Sequence, residues 1–153
     1  AFFLAGVNAV TKPKIIAQAK AEEDLSLKEV FPQAHSFEPV IKNGETIYYK
    51  AFDVGGEAIG FAFRSSAKGY SSTIESLTGV FSDGKITAIK ILSQNETPGL
   101  GSRVADKNFT GRFNGISDLS DVEAITGATI SSRAVIDSVR KKLEELNKLI
   151  KNG

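Results

Sequence analysis

The pair Asp83-Gly84, set between two runs of β-forming residues, constrains the fold more than any other feature of this 153-residue chain. Thr73–Phe81 (TIESLTGVF) precedes it and Ile86–Leu92 (ITAIKIL) comes after it. Asp-Gly supplies the positive φ that a tight hairpin turn needs, so the two runs must lie antiparallel. Ile86 and Ala88, with Ile89 and Ile91, put apolar groups on both faces of the second run, which predicts a central strand covered on both sides. A further hairpin is predicted upstream. Thr46–Val54 (TIYYKAFDV) leads into Gly55-Gly56, and Ala58–Arg64 (AIGFAFR) returns with Ile59, Phe61 and Phe63 alternating on one face.

Helical periodicity dominates the C-terminal end. Over Ser132–Lys151, Val135, Val139, Leu143, Leu146 and Ile150 step by four or three and form one apolar stripe. Arg140, Lys141, Glu144, Glu145 and Lys148 form the wet face, with Glu144 and Lys148 an i,i+4 pair. Near the N-terminus, Thr11 and Pro13 start a helix that runs through Ile15, Ile16 and Ala19 toward Glu23. A second short helix is predicted over Leu25–Phe31, capped by Asp24 and stopped by Pro32. Ser93–Gly101 (SQNETPGLG) is a loop; a short helix is predicted next over Ser102–Lys107, and Phe109 and Phe113 anchor a turn. The predicted architecture is α+β: a mainly antiparallel twisted sheet packed by an N-terminal helix and a long C-terminal helix.

Composition narrows the chemistry. The chain has no Cys, which excludes iron–sulfur clusters, thiolate zinc sites and disulfides, and its single histidine, His35, excludes a multi-histidine metal site. Nineteen basic and 18 acidic residues give a net charge of +1, which argues against a dedicated nucleic-acid binder. There is also no Met, so a segment ahead of Ala1 is expected to have been removed. Ala1–Val10 has Asn8 as its one polar residue. Ten apolar residues are too few to span a bilayer. They read either as the end of a truncated membrane anchor or as a buried helix turn. Lys12 and Lys14 cast a weak positive-inside vote for a cytoplasmic side.

One segment carries chemistry. Ahead of the long helix stands Glu123-Ala124-Ile125-Thr126-Gly127-Ala128-Thr129-Ile130-Ser131-Ser132. Hydroxyls and small residues at a helix N-terminus make an anion site, where free N–H groups and the positive dipole end favour a phosphate. The same residues are equally what plain capping by Ser131 or Ser132 requires. The lone glycine makes no P-loop, since no Lys comes after it to hold phosphates.

Thr126-Gly127-Ala128-Thr129 resembles the Ser/Thr-Gly-Ala-Thr flavinylation motif of the FMN-binding domain family, and Glu96-Thr97-Pro98-Gly99-Leu100-Gly101 is similar to that family's ETPGLG loop. Gly69-Tyr70, Ile74 and Asp83-Gly84-Lys85-Ile86 stand in the family's order. The family includes the G subunit of the Rnf electron-transport complex, which the short length resembles more, and the C subunit of the sodium-pumping NADH:quinone oxidoreductase. Two positions depart from its pattern: Glu123 stands where Asp is usual, and Phe109 where Trp is common.

The resemblance implies FMN joined by a phosphoester to Thr129, with Thr126, Gly127, Ala128 and Ser131 around the phosphate and Arg133 able to pair with it. It implies that Glu96, Thr97, Gly99, Leu100 and Gly101 lie by the flavin, with Gly99 and Gly101 letting backbone amides approach the ring, and Leu100 and Tyr70 offering it apolar surface. Tyr70 is as readily a strand-face aromatic, and Glu96 either a structural group or a solvated loop acid. The implied organisation is the end of a membrane anchor over residues 1–12 and an FMN-binding domain over 13–153. The implied role is an electron-transfer subunit of a membrane-bound Rnf-type ion-translocating oxidoreductase. Its partners would be the other membrane subunits, a flavin transferase for maturation, and the cell membrane through the missing anchor, with the domain on the extracytoplasmic side. Two alternatives stand beside it: a stand-alone extracytoplasmic flavoprotein carrier, and a non-redox ligand-binding or adhesion domain.

Overall fold

Five strands in unbroken antiparallel order form the centre of the structure, a computed structural model that describes residues 21–152. They are β1 (Ser36–Lys42), β2 (Glu45–Phe52), β3 (Ala58–Lys68), β4 (Thr73–Phe81) and β5 (Ile86–Ser93), each paired to the next. A helix over residues 21–30, α1, covers one face. The short helix α2 (Lys107–Thr110), its flanking 3-10 turns and the long helix α3 (Thr129–Asn152) cover the other. The α+β architecture read from the sequence is the one observed.

Alternation along the strands decides which core each side chain joins. Phe63, Val80 and Ile89 point to α3 and pack with Val104, Phe109, Phe113, Val135 and Val139. Ala51, Ala62 and Leu77 point to α1 and pack with Leu27, Val30 and Phe31. Phe109 and Phe113 anchor their turn as predicted, edge to face with ring centres 5.3 Å apart. Ile59 does not share a face with Phe61 and Phe63. Ala51 pairs with Gly60 and Phe52 with Ala58, so Ile59 is the extra residue of a β-bulge, and its side chain joins the α1 core.

Other expectations are revised. β5 is covered on both faces, by Ile86, Ile89 and Ile91 on one side and Ala88 and Leu92 on the other, yet it is an edge strand. Part of its edge is closed by the irregular chain, where Ile86 N donates to Ile116 O and Gly115 N to Ile86 O. The second turn is wider than Gly55-Gly56: β2 ends at Phe52, and Asp53 closes the loop by accepting from Gly56 N and, through its carboxylate, from Glu57 N. β1 and its Asn43-Gly44 turn, both residues at positive φ, were not read from the sequence at all. The predicted break at Asp24 is absent, since the helix is continuous through 21–30 and stops before Pro32. The helix start at Thr11 and the proposed anchor end lie outside the described residues. The helix expected over Ser102–Lys107 is a 3-10 turn over Gly101–Ala105 followed by α2.

α1 seats against the sheet through two glycines. A Cβ on Gly79 would stand 2.6 Å from Val30 O and against Thr87 Oγ1, and one on Gly60 would meet the Phe31 ring at 2.8 Å. Thr87 Oγ1 in turn donates to Val30 O, tying the end of α1 to β5. Gly79→Ala is therefore expected to lower stability by about 1–3 kcal/mol through overpacking, read as a lower urea midpoint with an unchanged slope.

Candidate functional site

Three chain segments far apart in sequence meet at one end of the sheet. They are the β3–β4 hairpin tip (Gly69–Ser72), the loop after β5 (Glu96–Gly101) and the turn into α3 (Ile125–Ser131). Between them lies a cleft of about 410 Å³ walled by Tyr70, Thr97, Leu100, Gly101, Gly127, Ala128, Thr129, Ile130 and Ser131. Its volume falls within the range of small-molecule and cofactor sites. Tyr70, Leu100 and Ile130 are 71, 52 and 59% exposed, so the rim presents large apolar groups to solvent.

Two of the walls are shaped by local turns. Leu100 N donates to Thr97 O across Pro98-Gly99, and Gly99 has φ +76. Ala128 N donates to Ile125 O across Thr126-Gly127, and Gly127 has φ +84. A positive φ at the third turn residue is what a type II turn demands, which accounts for glycine at both positions.

The helix behind this turn begins at Thr129, three residues before the predicted start. Neither serine expected to cap it does so. Ser132 is buried; its Oγ accepts from Ile125 N at 3.0 Å and donates to Ala128 O at 2.8 Å, stapling the turn to the helix. Ser131 is also buried, and its Oγ donates to Glu96 Oε1 at 2.7 Å. The first helical bond runs from Ser132 N to Ala128 O, so the amides of Thr129, Ile130 and Ser131 precede any intrahelical acceptor. The helix therefore presents an open, positive dipole end beside the cleft. Thr129 is exposed at this mouth.

Glu96 is the hub of the site. It is 4% exposed and accepts five hydrogen bonds: Tyr70 N (2.7 Å) and Ser131 Oγ on Oε1, and Ser71 N (2.9 Å), Ser71 Oγ and Ser72 Oγ (both 2.8 Å) on Oε2. Among the described residues no Lys, Arg or His forms an ion pair with it. Burial alone would raise its carboxyl, but the bonds from Ser131, Ser71 and Ser72 outweigh burial and hold it at about 2, below the ordinary 4.5. Two glycines make room. A Cβ on Gly101 would stand 2.6 Å from Ser131 Oγ, and one on Gly69 would collide with Glu96 Oε1.

Of the residues singled out from sequence, the fold brings Tyr70, Thr97, Leu100, Gly101, Gly127, Ala128, Thr129 and Ser131 to the cleft wall. Glu96 lies behind that wall, bonded to two of its members. Thr126 and Gly99 stand in the turns next to it, and Gly99 N is engaged by Ser102 Oγ at 3.1 Å. Arg133 lines a separate small cleft with Leu119, Ile136 and Arg140. Ile130 was missed, because an apolar residue in a helix start reads as core. The apolar stripe of α3 also shifts: Ile150 is 44% exposed, and Ile136 is buried in its place. The ion pairs of α3 are Arg140–Asp137 and Lys142–Glu145 rather than Glu144–Lys148.

A family model for the FMN-binding domain matches residues 69–144, which contain all three walls of the cleft. The G subunit of the ion-translocating oxidoreductase complex of Methanosarcina acetivorans is 34% identical over 84% of this chain and 77% of its own length. The G subunit of the proton-translocating ferredoxin:NAD(+) oxidoreductase complex of Clostridium ljungdahlii is 32% identical over 94% of this chain and 82% of its own. Among solved structures, the C subunit of the Na(+)-translocating NADH-quinone reductase from Parabacteroides distasonis superposes with a TM-score of 0.56 at 21% identity, covering 72% of this chain and 74% of that one. NqrC of Shewanella oneidensis gives 0.53 at 18%, covering 78% and 74%, so the two share the fold. No helix among the described residues is long and apolar enough to cross a membrane. With a relative this similar over most of both chains, and with both family segments at one cleft, the chain belongs to the FMN-binding domain family and resembles the G subunits of ion-translocating oxidoreductase complexes.

Proposed function

We propose that this chain is the G-type subunit of a membrane-bound, Rnf-type ion-translocating oxidoreductase and carries FMN covalently on Thr129. The observation that carries the reading is convergence: residues of the Gly127–Thr129 and Thr97–Gly101 segments, some 30 positions apart in sequence, wall the same cleft beside an exposed threonine, Thr129.

The donor set fits the group. The open amides of Thr129, Ile130 and Ser131 and the dipole of α3 favour an anionic phosphate. Gly127 and Ala128 are small enough to let it approach, and Leu100, Ile130 and Tyr70 offer apolar surface to a planar ring. When bound, FMN supplies one- and two-electron chemistry that no side chain of this cleft can perform. The chain's own part is to hold and orient. Thr129 Oγ takes up the phosphoryl group: an Oγ–P bond forms, the bond from phosphorus to the donor's leaving group breaks, and the hydroxyl proton is released. A donor holding that phosphoryl in an anhydride, such as flavin adenine dinucleotide, releases AMP and drives the transfer. The transferase would approach from solvent, where Thr129 is accessible.

A tether suits an electron carrier outside the cytoplasm. It makes rebinding intramolecular, with an effective concentration on the order of mM for a short link. The ring can then stay partly exposed for exchange with neighbouring subunits. The reading places the domain on the extracytoplasmic side, held to the membrane by an anchor ahead of residue 13.

Co-expression with a flavin transferase is expected to raise the intact mass by one FMN less one water and to give a band fluorescent under ultraviolet light in a denaturing gel. Without the transferase the protein is expected to be folded and colourless. An unchanged mass on co-expression, under conditions where a known substrate of the transferase is modified, would overturn the covalent reading.

A further inference from the structure

The carboxylate of Glu96 makes more contacts than a loop acid needs, and the residue is buried behind the cleft wall rather than part of it. Its two oxygens divide their partners. Oε1 serves the cleft, accepting from Ser131 Oγ in the first turn of α3 and from Tyr70 N, both residues of the wall. Oε2 serves the scaffold, accepting from Ser71 and Ser72 in the β3–β4 hairpin tip. Residues 101 and 69 must be glycine for this arrangement to exist. The hairpin tip, closed at its base by Gly69 N donating to Ser72 O, is also held by the carboxylate, to which the Tyr70 and Ser71 amides donate rather than to backbone.

We propose that Glu96 is a positioning residue for flavin attachment: acting through Ser131, it fixes the first turn of α3, and so the Thr129 hydroxyl, against the Tyr70 and Leu100 walls. This rests on the assignment of Thr129 as the acceptor. Transfer to a hydroxyl is steep in geometry, and displacement of about 1 Å costs on the order of 10²-fold in rate. Ser131 is two residues from Thr129 in the same helical turn, so its buried tie sets the direction in which the 129 side chain leaves the helix. A carboxylate can take two backbone amides and three hydroxyls at once, whereas a carboxamide offers one acceptor oxygen.

The test compares wild type with Glu96→Gln, Ser131→Ala and Gly79→Ala. The last lies on the opposite face, under α1, and serves as a destabilised control. Each protein is incubated with transferase and flavin adenine dinucleotide at a temperature where melting curves show all of them folded, and the initial rate of fluorescent labelling is read. Glu96→Gln is expected to slow labelling by roughly tenfold or more, Ser131→Ala to slow it in the same sense, and Gly79→Ala to label like wild type. A Glu96→Gln rate equal to wild type, or lowered only as far as the control, overturns the proposal and leaves the acceptor assignment standing. Failure of wild type to label overturns the acceptor assignment instead.

A second measurement needs no flavin. In the unmodified chain, amide hydrogen exchange at Ser132–Val135 is expected to speed up in Glu96→Gln by about tenfold relative to Val139–Leu143 in the same protein. Equal acceleration along the helix would mean that Glu96 acts only on global stability, and the positioning role falls.

Discussion

Thr129→Ala is expected to carry no covalent flavin while folding as wild type does. Thr129 is the hydroxyl-bearing residue exposed at the cleft mouth at the end of α3. The neighbouring hydroxyls of Ser131 and Ser132 are buried and already bonded, to Glu96 and to Ala128 with Ile125. They cannot substitute as acceptors without unmaking the turn. Thr126 is exposed but stands outside the cleft wall. Its replacement by Ala is expected to leave attachment in place, so the pair of variants separates the two threonines of the motif. Ala is the better helix former, by about 0.5 kcal/mol, so the urea midpoint of Thr129→Ala should be unchanged or slightly raised. The free amides and the apolar rim survive the substitution. The variant should therefore still take FMN reversibly and lose it on desalting. Intact mass before and after reconstitution decides the matter, and flavin retained through denaturation in Thr129→Ala removes that residue as the acceptor.

What could be read from the chain, and what could not, divides on physical lines. Asp83-Gly84 and its flanking runs announced the β4–β5 hairpin because a tight turn fixes register locally. β1 escaped because its signal is weak: most of its side chains are exposed and Pro39 interrupts it, as an edge strand permits. Simple alternation puts Ile59 on the wrong face because one bulged residue reverses it, and a bulge depends on the partner strand rather than on local sequence. Two apolar faces predict a central strand, and β5 is buried on both, but strand order is a tertiary fact and places it at the edge. At the site, eight of the residues chosen by resemblance line the cleft. The open helix end was only half legible. Serines at a helix start look like caps, and their diversion to Glu96 and to Ile125 needs three dimensions to see. Glu96 itself could be weighed only between a structural and a solvated role, since its five donors come from segments 24 to 35 residues away.

Glu96→Gln is expected to cost about 1–3 kcal/mol of stability near neutral pH, and that cost is expected to disappear in acid. Whichever way the carboxamide is turned, its NH2 faces one of two backbone amides, Tyr70 N or Ser71 N, since these bind different oxygens of the wild-type carboxylate. Hydroxyls can rotate and accept instead; a backbone N–H cannot, and a buried donor left without an acceptor carries its desolvation penalty. Protonation of the wild-type carboxyl has a related effect. The folded protein holds Glu96 at about 2, against 4.5 for the ordinary group. Between these values the unfolded chain binds the extra proton and the folded chain does not, so stability rises with pH in that window. The contribution is complete above about pH 4.5 and is lost as pH falls toward 2. Urea midpoints measured at pH 7, at pH 4 and close to pH 2 should show the gap between wild type and Glu96→Gln narrowing steadily with acid. A gap that stays constant across the series would mean that Glu96 is not ionised in the folded protein, and that its five donors are satisfied in some other way.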